Sequence, residues 1–189
     1  FHYKPNTIDV LEPGVQSTIQ DYPGRLGYWN IGVPPSGPMD ALAFRLGNRL
    51  LDNDDEAAGL ELTVSGPTLK FNSDTVIALT GAAMKAELDG EPLKFWRSPV
   101  VKAGSVLRLG AVQGGGCRTY LAVVGGFDVP DYLGSKSTFT LGQFGGHGGR
   151  TLRTGDVLHL GVESSPRVER ALSANLLPTY SNQWEIGVL

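Results

Sequence analysis

Apolar and polar positions alternate in short runs along most of the chain, and each run ends at a turn signal. In TIDVLEPG the inward positions are Ile8 and Val10, and the run breaks at Pro13-Gly14. ELTVSGP, TLKF and TVIALTG follow, closed by Gly, Pro, Ser or Asn. In MKAELDGEPLKFW, Met84, Ala86 and Leu88 alternate before Asp89-Gly90, and Leu93 and Phe95 resume after it. Asp-Gly supplies the positive φ angles of a type I′ hairpin turn, so this segment predicts a hairpin. RTYLAVVGG, 118–126, is nearly continuous in apolar residues and predicts a central strand.

A nine-residue pattern occurs twice, as KAGSVLRLG (102–110) and RTGDVLHLG (153–161). Each predicts a strand that starts at a tight turn. The pair reads either as a common turn device or as two similar strands closing a barrel. One segment has helical period instead. In GPMDALAFRLGNRLLDND, Met39, Leu42, Ala43, Leu46 and Leu50 form one apolar stripe. Pro38 suits a first turn, Gly37 or Ser36 an N-cap, and Asp40 complements the helix dipole. The expected helix spans about 37–52, and a weaker one lies near 166–176. The whole predicts a mainly β fold with one amphipathic helix covering one end and a C-terminal extension.

Composition narrows the function. The chain has 189 residues, 41% of them hydrophobic, and a formal charge of −3, so it carries no basic footprint for nucleic acid. Its apolar runs are too short for a membrane span. A lone cysteine, Cys117, excludes an internal disulfide framework and suits a reducing, cytoplasmic setting. The start, FHYKPN, has no signal-peptide pattern and opens on Phe1, as the middle of a longer polypeptide would; Leu189 falls inside an apolar run, which predicts continuation. No metal site is expected, because His2, His147, His159 and Cys117 lack ligand spacing.

Two loops concentrate chemistry. The first, DYPGRLGYWNIGVPPSGPMD (21–40), is stiffened by Pro23, Pro34, Pro35 and Pro38 and carries Asp21, Tyr22, Arg25, Tyr28, Asn30, Ser36 and Asp40. It reads as a binding platform ending on a helix N-terminus, or as a routed loop with a local Asp21–Arg25 ion pair. The second, SKSTFTLGQFGGHGGR (135–150), places His147 among four glycines, beside Gln143 and Arg150. There the glycines let backbone approach a ligand, or His147 is an ordinary loop histidine. Glu61 reads equally as a buried acid or a strand-edge residue.

These loops also carry a resemblance. QDYPGRLGYWNIGVPPSGPMD, NRLL, GLELTVSGPTLKF, YLAVVGGFDVPDYLGSKSTFTLGQFGGHGGR and LRTGDVL closely resemble the carboxyltransferase region of biotin-dependent urea carboxylase, which also occurs within urea amidolyase. The matching part is the KipA-like family related to allophanate hydrolase subunit 2. The resemblance covers about Ile8 to Leu160 and weakens toward Leu189. Relatives include a component of 5-oxoprolinase and a KipA-type protein-binding module, the two alternative functions, but the long YPGR and PPSGPMD wording favours the urea carboxylase branch.

The resemblance implies a cyclophilin-like β-barrel over 1–163, with 164–189 as linker and start of a second, truncated subdomain. It implies biotin carried on another domain, ATP and Mg²⁺ at a separate biotin carboxylase domain, and a KipI-like subdomain as the other wall of the site. The implied reaction moves CO₂ from carboxybiotin to urea, giving allophanate, with the isolated fragment inactive. In that setting Arg25, Asp40 and Tyr28 are the candidate catalytic residues. Asp21, Tyr22, Asn30, Ser36, Gly37, Gln143, His147 and Arg150 are the candidates for binding substrate or biotin. Both loops are expected to line one pocket. Uncovered apolar faces are expected where the partner parts belong.

Overall fold

The strands predicted from alternation are present, and they pair as two antiparallel sheets. A computed structural model describes residues 6–162 and 169–188. The strands in chain order are β1 (Thr7–Glu12), β2 (Gln16–Gln20), β3 (Gly59–Thr63), β4 (Thr68–Phe71), β5 (Thr75–Gly81), β6 (Met84–Leu88), β7 (Glu91–Pro92), β8 (Val100–Val101), β9 (Val106–Val112), β10 (Arg118–Val123) and β11 (Val157–His159). One sheet has the order β11-β1-β4-β9-β6-β7, the other β2-β3-β10-β5-β8. Isolated bridges Ser65–Ala111 and Phe127–Leu160 bring parts of the two sheets together, so the expected barrel takes the form of a two-sheet enclosure.

The inner faces make the main core. Ile8, Val10, Leu69, Phe71 and Leu107 of the first sheet meet Ile19, Leu60, Leu62, Ile77, Leu79, Leu121 and Val123 of the second. Each such side chain contributes about 1.5–3 kcal/mol when fully buried. The continuous apolar run of β10 is explained by its place between β3 and β5, with residues buried on both faces. The hairpin forms as read: Leu88 pairs with Glu91 across Asp89 and Gly90, whose φ angles are 53° and 88°. The twin nonapeptides yield β9 and β11, both in the same sheet and both following a turn.

The helix α1 (Ala41–Leu50) packs on the outer face of the second sheet. It is shorter than expected at its N-terminal end and rotated. Asp40, not Ser36 or Gly37, is the N-cap, its carboxylate accepting from the Ala43 N–H. The buried face is Ala43, Phe44, Gly47, Asn48 and Leu50, while Met39 and Leu42 are exposed. Two features turn it. Gly47 brings the helix close to Thr80, and Asn48 donates to the Ala57 carbonyl at 2.8 Å, closing the polar segment that follows.

The last described stretch runs over the outside. Ser98 and Leu172 amides donate to Arg170 and Trp96 carbonyls, and the Tyr180 hydroxyl reaches the Asp40 carboxylate at 2.7 Å. Of the weak helix expected near 166–176, residues 166–168 lie outside the described residues; the remainder holds only a 3-10 turn, Ala174–Leu176. Trp184, Ile186 and Val188 are exposed, as are Leu26, Trp29, Ile31, Met39 and Leu42 around the first loop. Among the described residues no helix is long and apolar enough to cross a membrane.

Candidate functional site

The first loop and the start of the second are tied together by two charged side chains. Leaving β2, Asp21 accepts from Ser135 Oγ (2.6 Å) and Ser137 Oγ (2.5 Å) through Oδ1 and from the Lys136 amide (2.7 Å) through Oδ2. Four residues on, Arg25 is 0% exposed. Its Nε donates to the Tyr132 carbonyl (2.8 Å), and its Nη2 to the carbonyls of Ser135 (3.3 Å) and Ser137 (3.0 Å). Its guanidinium carbon lies 4.9 Å from the Phe144 ring centroid and 6.0 Å from that of Tyr132. Nη1 has no hydrogen-bond partner among the described residues. Burial lowers the Arg25 pKa from its ordinary value, and nearby Asp21 opposes that shift.

This arrangement corrects two expectations. The Asp21 carboxylate is satisfied by Ser135, Lys136 and Ser137, so it is not the local ion-pair partner of Arg25. Arg25, expected to meet substrate, is sealed inside the loops and spent on carbonyls. A buried guanidinium is tolerable only when hydrogen-bonded, and here the bonds fix two loops at once.

Two glycines of the second loop are explained in the same way. A side chain at Gly145 (φ 73°) would collide with the Ser137 carbonyl and crowd Arg25, and one at Gly149 would collide with Gln143. These two admit the protein's own backbone, whereas a side chain at Gly148 would meet no atom closer than Arg150 Nε at 3.9 Å.

Asp40 and its neighbours are equally engaged. One carboxylate oxygen caps α1 and the other accepts from Tyr180. The amides expected to be donors are taken: Gly37 N–H by Gln20 Oε1 (3.0 Å), Met39 N–H by Glu61 (2.8 Å) and Asp40 N–H by the Tyr120 hydroxyl (2.7 Å). Glu61 is a half-buried acid within β3, also accepting from Tyr120 at 3.0 Å, with Arg118 Nε 3.5 Å away. Burial first, then Glu61, pushes the Tyr120 hydroxyl well above the usual phenol range; burial and Asp40 do the same to Tyr180. Asp40 therefore caps the helix and holds Tyr180, where substrate chemistry was expected. Ser36 (φ 57°) sits in the bend before it, and Asn30 is exposed in the 3-10 turn Trp29–Ile31.

What the knot leaves open is a depression of about 320 Å³ lined by Asp21, Tyr22, Leu26, Tyr28, Glu56 and Gly134. Arg45 stacks 4.8 Å over the Tyr22 ring and fixes it. Among the described residues the hydroxyls of Tyr22 and Tyr28 make no hydrogen bond. Besides the already bonded Asp21, the depression offers two phenols, the Glu56 carboxylate and loop backbone, which suits a flat group bearing both N–H and C=O. Glu56 lies in the polar stretch after the helix, and nothing in its local sequence marks it.

Gln143 and Arg150 line a different depression, of about 420 Å³. A third one beside Tyr132 and Phe144 adjoins this depression and shares Gln143, Gly148 and Gly149 with it. The loops therefore meet, but no described cavity holds both sets of residues. Arg150 is paired bidentately with Asp156, at 2.7 and 2.8 Å, and His147 Nε2 lies 3.5 Å from the same carboxylate. The Arg153 amide adds a bond of 2.8 Å. Arg150 foremost, against a burial penalty, holds the Asp156 pKa at about 2.

Comparison with known proteins places the chain in a family. Residues 31–189 match the family described as carboxyltransferase domain, subdomain A and B. The chain is 47% identical over its whole length to urea amidolyase of Saccharomyces cerevisiae, of which it spans only 10%. It is 42% identical, over 98% of its length, to a protein of Emericella nidulans named as a urea carboxylase, of which it spans 15%. The 5-oxoprolinase component of Escherichia coli is 40% identical over 86% of this chain, which spans 52% of it. The crystal structure of Kluyveromyces lactis urea carboxylase superposes with a TM-score of 0.89 at 47% identity, over 96% of this chain and 17% of that one. By sequence and by fold, the chain belongs to the carboxyltransferase domain family.

Proposed function

We propose that the chain is part of the carboxyltransferase of a cytoplasmic, biotin-dependent urea carboxylase, which transfers CO₂ to urea and forms allophanate. The observation that carries this is the 47% identity to urea amidolyase over all of the chain, against 40% over a shorter stretch for the 5-oxoprolinase component. Urea nitrogen is a poor nucleophile because its lone pair is delocalised, and free CO₂ escapes to water. The site must hold the reactants together and place donors where negative charge develops.

The Tyr22–Tyr28 depression fits a ureido group in size and in donor set. Biotin delivered by a carrier domain would supply the activated carboxyl group and the base for the urea proton. Tyr22 and Tyr28 donate to a ureido oxygen and orient the ring, Glu56 accepts a ureido N–H, and Leu26 excludes water. Asp21 and Arg25 position these walls without touching substrate. A KipI-like subdomain supplies the opposite wall, and biotin carboxylase and carrier domains, with ATP and Mg²⁺, complete the enzyme.

The test uses the complete parent enzyme with bicarbonate and ATP. Incorporation of bicarbonate with urea, and none with 5-oxoproline, is expected. ATP-dependent opening of 5-oxoproline would assign the chain to the other branch of the family. Binding to a KipI-like protein without any turnover would make it a binding module.

A further inference from the structure

The second depression has an inventory unlike that of the first. Its lining includes Thr140, Gln143, Gly148, Arg150, Thr151 and Arg153, with no Asp or Glu among them. Asp156 neutralises Arg150 from behind, its side chain only 10% exposed. Arg153 is exposed, and its guanidinium makes no hydrogen bond or ion pair with any described residue. The hydroxyls of Thr140 and Thr151 and the Gln143 amide are equally unspent among the described residues. Donors therefore exceed acceptors, and the depression keeps one uncompensated positive charge on a chain whose net charge is −3.

We propose that this depression binds a phosphate group, free or at the end of a small ester. Donors reach it from separate chain positions: a planar guanidinium fork at 153, hydroxyls at 140 and 151, and an amide at 143. A tetrahedral dianion offers oxygens in several directions and takes charge-assisted bonds from such a set; a planar carboxylate uses mainly the fork. The volume of about 420 Å³ exceeds the need of free phosphate and leaves room for the rest of an ester. The bidentate Arg150–Asp156 pair holds the segment carrying Thr151 and Arg153 in place. The site is separate from the Tyr22–Tyr28 depression and does not rest on the carboxyl-transfer reading.

The test is an amide-resolved NMR titration of the 189-residue chain with inorganic phosphate, phenyl phosphate and acetate. Phosphate is expected to give saturable shifts at Gly148–Arg153, phenyl phosphate to bind at least as tightly, and acetate to bind far more weakly. Arg153→Gln, which keeps the backbone bond to Asp156, is expected to weaken phosphate binding about tenfold or more, the effect of losing a charged hydrogen bond. Arg108→Gln, on exposed β9 surface, leaves it unchanged. Absence of saturable shifts, equal binding of acetate, or an Arg153→Gln variant that binds as before would overturn the site.

Discussion

Arg25 and Arg150 sit in glycine-rich, loop-bound settings and look alike in sequence, yet the structure uses them in opposite ways. Arg25 has no solvent contact and no carboxylate partner; its charge is spread over three backbone carbonyls and two aromatic rings. Arg150 is half-buried and locked to one carboxylate, and its neighbour Arg153 is left without a partner among the described residues. The first region turns charge inward to fix loops, and its open surface is phenolic. The second cancels one charge locally and presents another. Polar residues concentrated in a stiff loop thus mark where loops are built, and the ligand-facing groups are those the building leaves over.

The largest effect should come from the first region. Arg25→Ala strands three carbonyls and opens the loop junction, and should cost about 3 kcal/mol or more in guanidinium chloride unfolding. Arg25→Lys should not rescue it, because an ammonium cannot reproduce the planar fork. A loss below about 1 kcal/mol would erase the contrast between the two arginines. Asp21→Asn should cost about 2–3 kcal/mol, since a charged acceptor of two hydroxyls and an amide becomes a neutral one.

In the second region the effect is smaller and depends on pH. Asp156 has its pKa depressed from 3.8 to about 2, so it contributes stability above pH 4 that is lost as pH falls toward 2. Asp156→Asn should remove about 2 kcal/mol at neutral pH and flatten the stability curve across that acidic window. The smallest effect on stability should be that of Tyr28→Phe, within about 0.5 kcal/mol. In the complete enzyme the same variant should lower carboxyl transfer to urea while leaving biotin carboxylation intact. An unchanged transfer rate would remove Tyr28 from the site.

Much of the fold is legible in the sequence because burial follows period. β1, β5, β10 and the Asp89-Gly90 hairpin stand where alternation or turn chemistry puts them. β2 is not visible in that way. QSTIQ looks polar, yet Ser17, Thr18 and Gln20 are buried because Ser17 donates to the Pro13 carbonyl and the Gln20 amide donates to Thr18 Oγ1 and the Thr138 carbonyl. The helix is readable, its phase is not: Gly47 and Asn48 face the sheet for reasons of approach and hydrogen bonding that hydropathy does not encode.

The two chemical loops are identifiable from sequence, but the use of their residues is not. The partners of Arg25 are carbonyls more than 100 positions away, and a carbonyl has no sequence signature. Asp40 looks like helix-dipole chemistry and is the cap. Glu56 carries no signal and Arg153 shows only as the first residue of a repeated turn-strand pattern; each matters through the depression it borders.

The most direct measurement of the central claim is an amide-resolved titration of the chain with 2-imidazolidone, a bare ureido ring. Saturable shifts at Tyr22–Tyr28 and at Gly134, unaltered by Arg153→Gln, are the predicted result. Shifts confined to 148–153, or no saturable shift around Tyr22 and Tyr28, would contradict it.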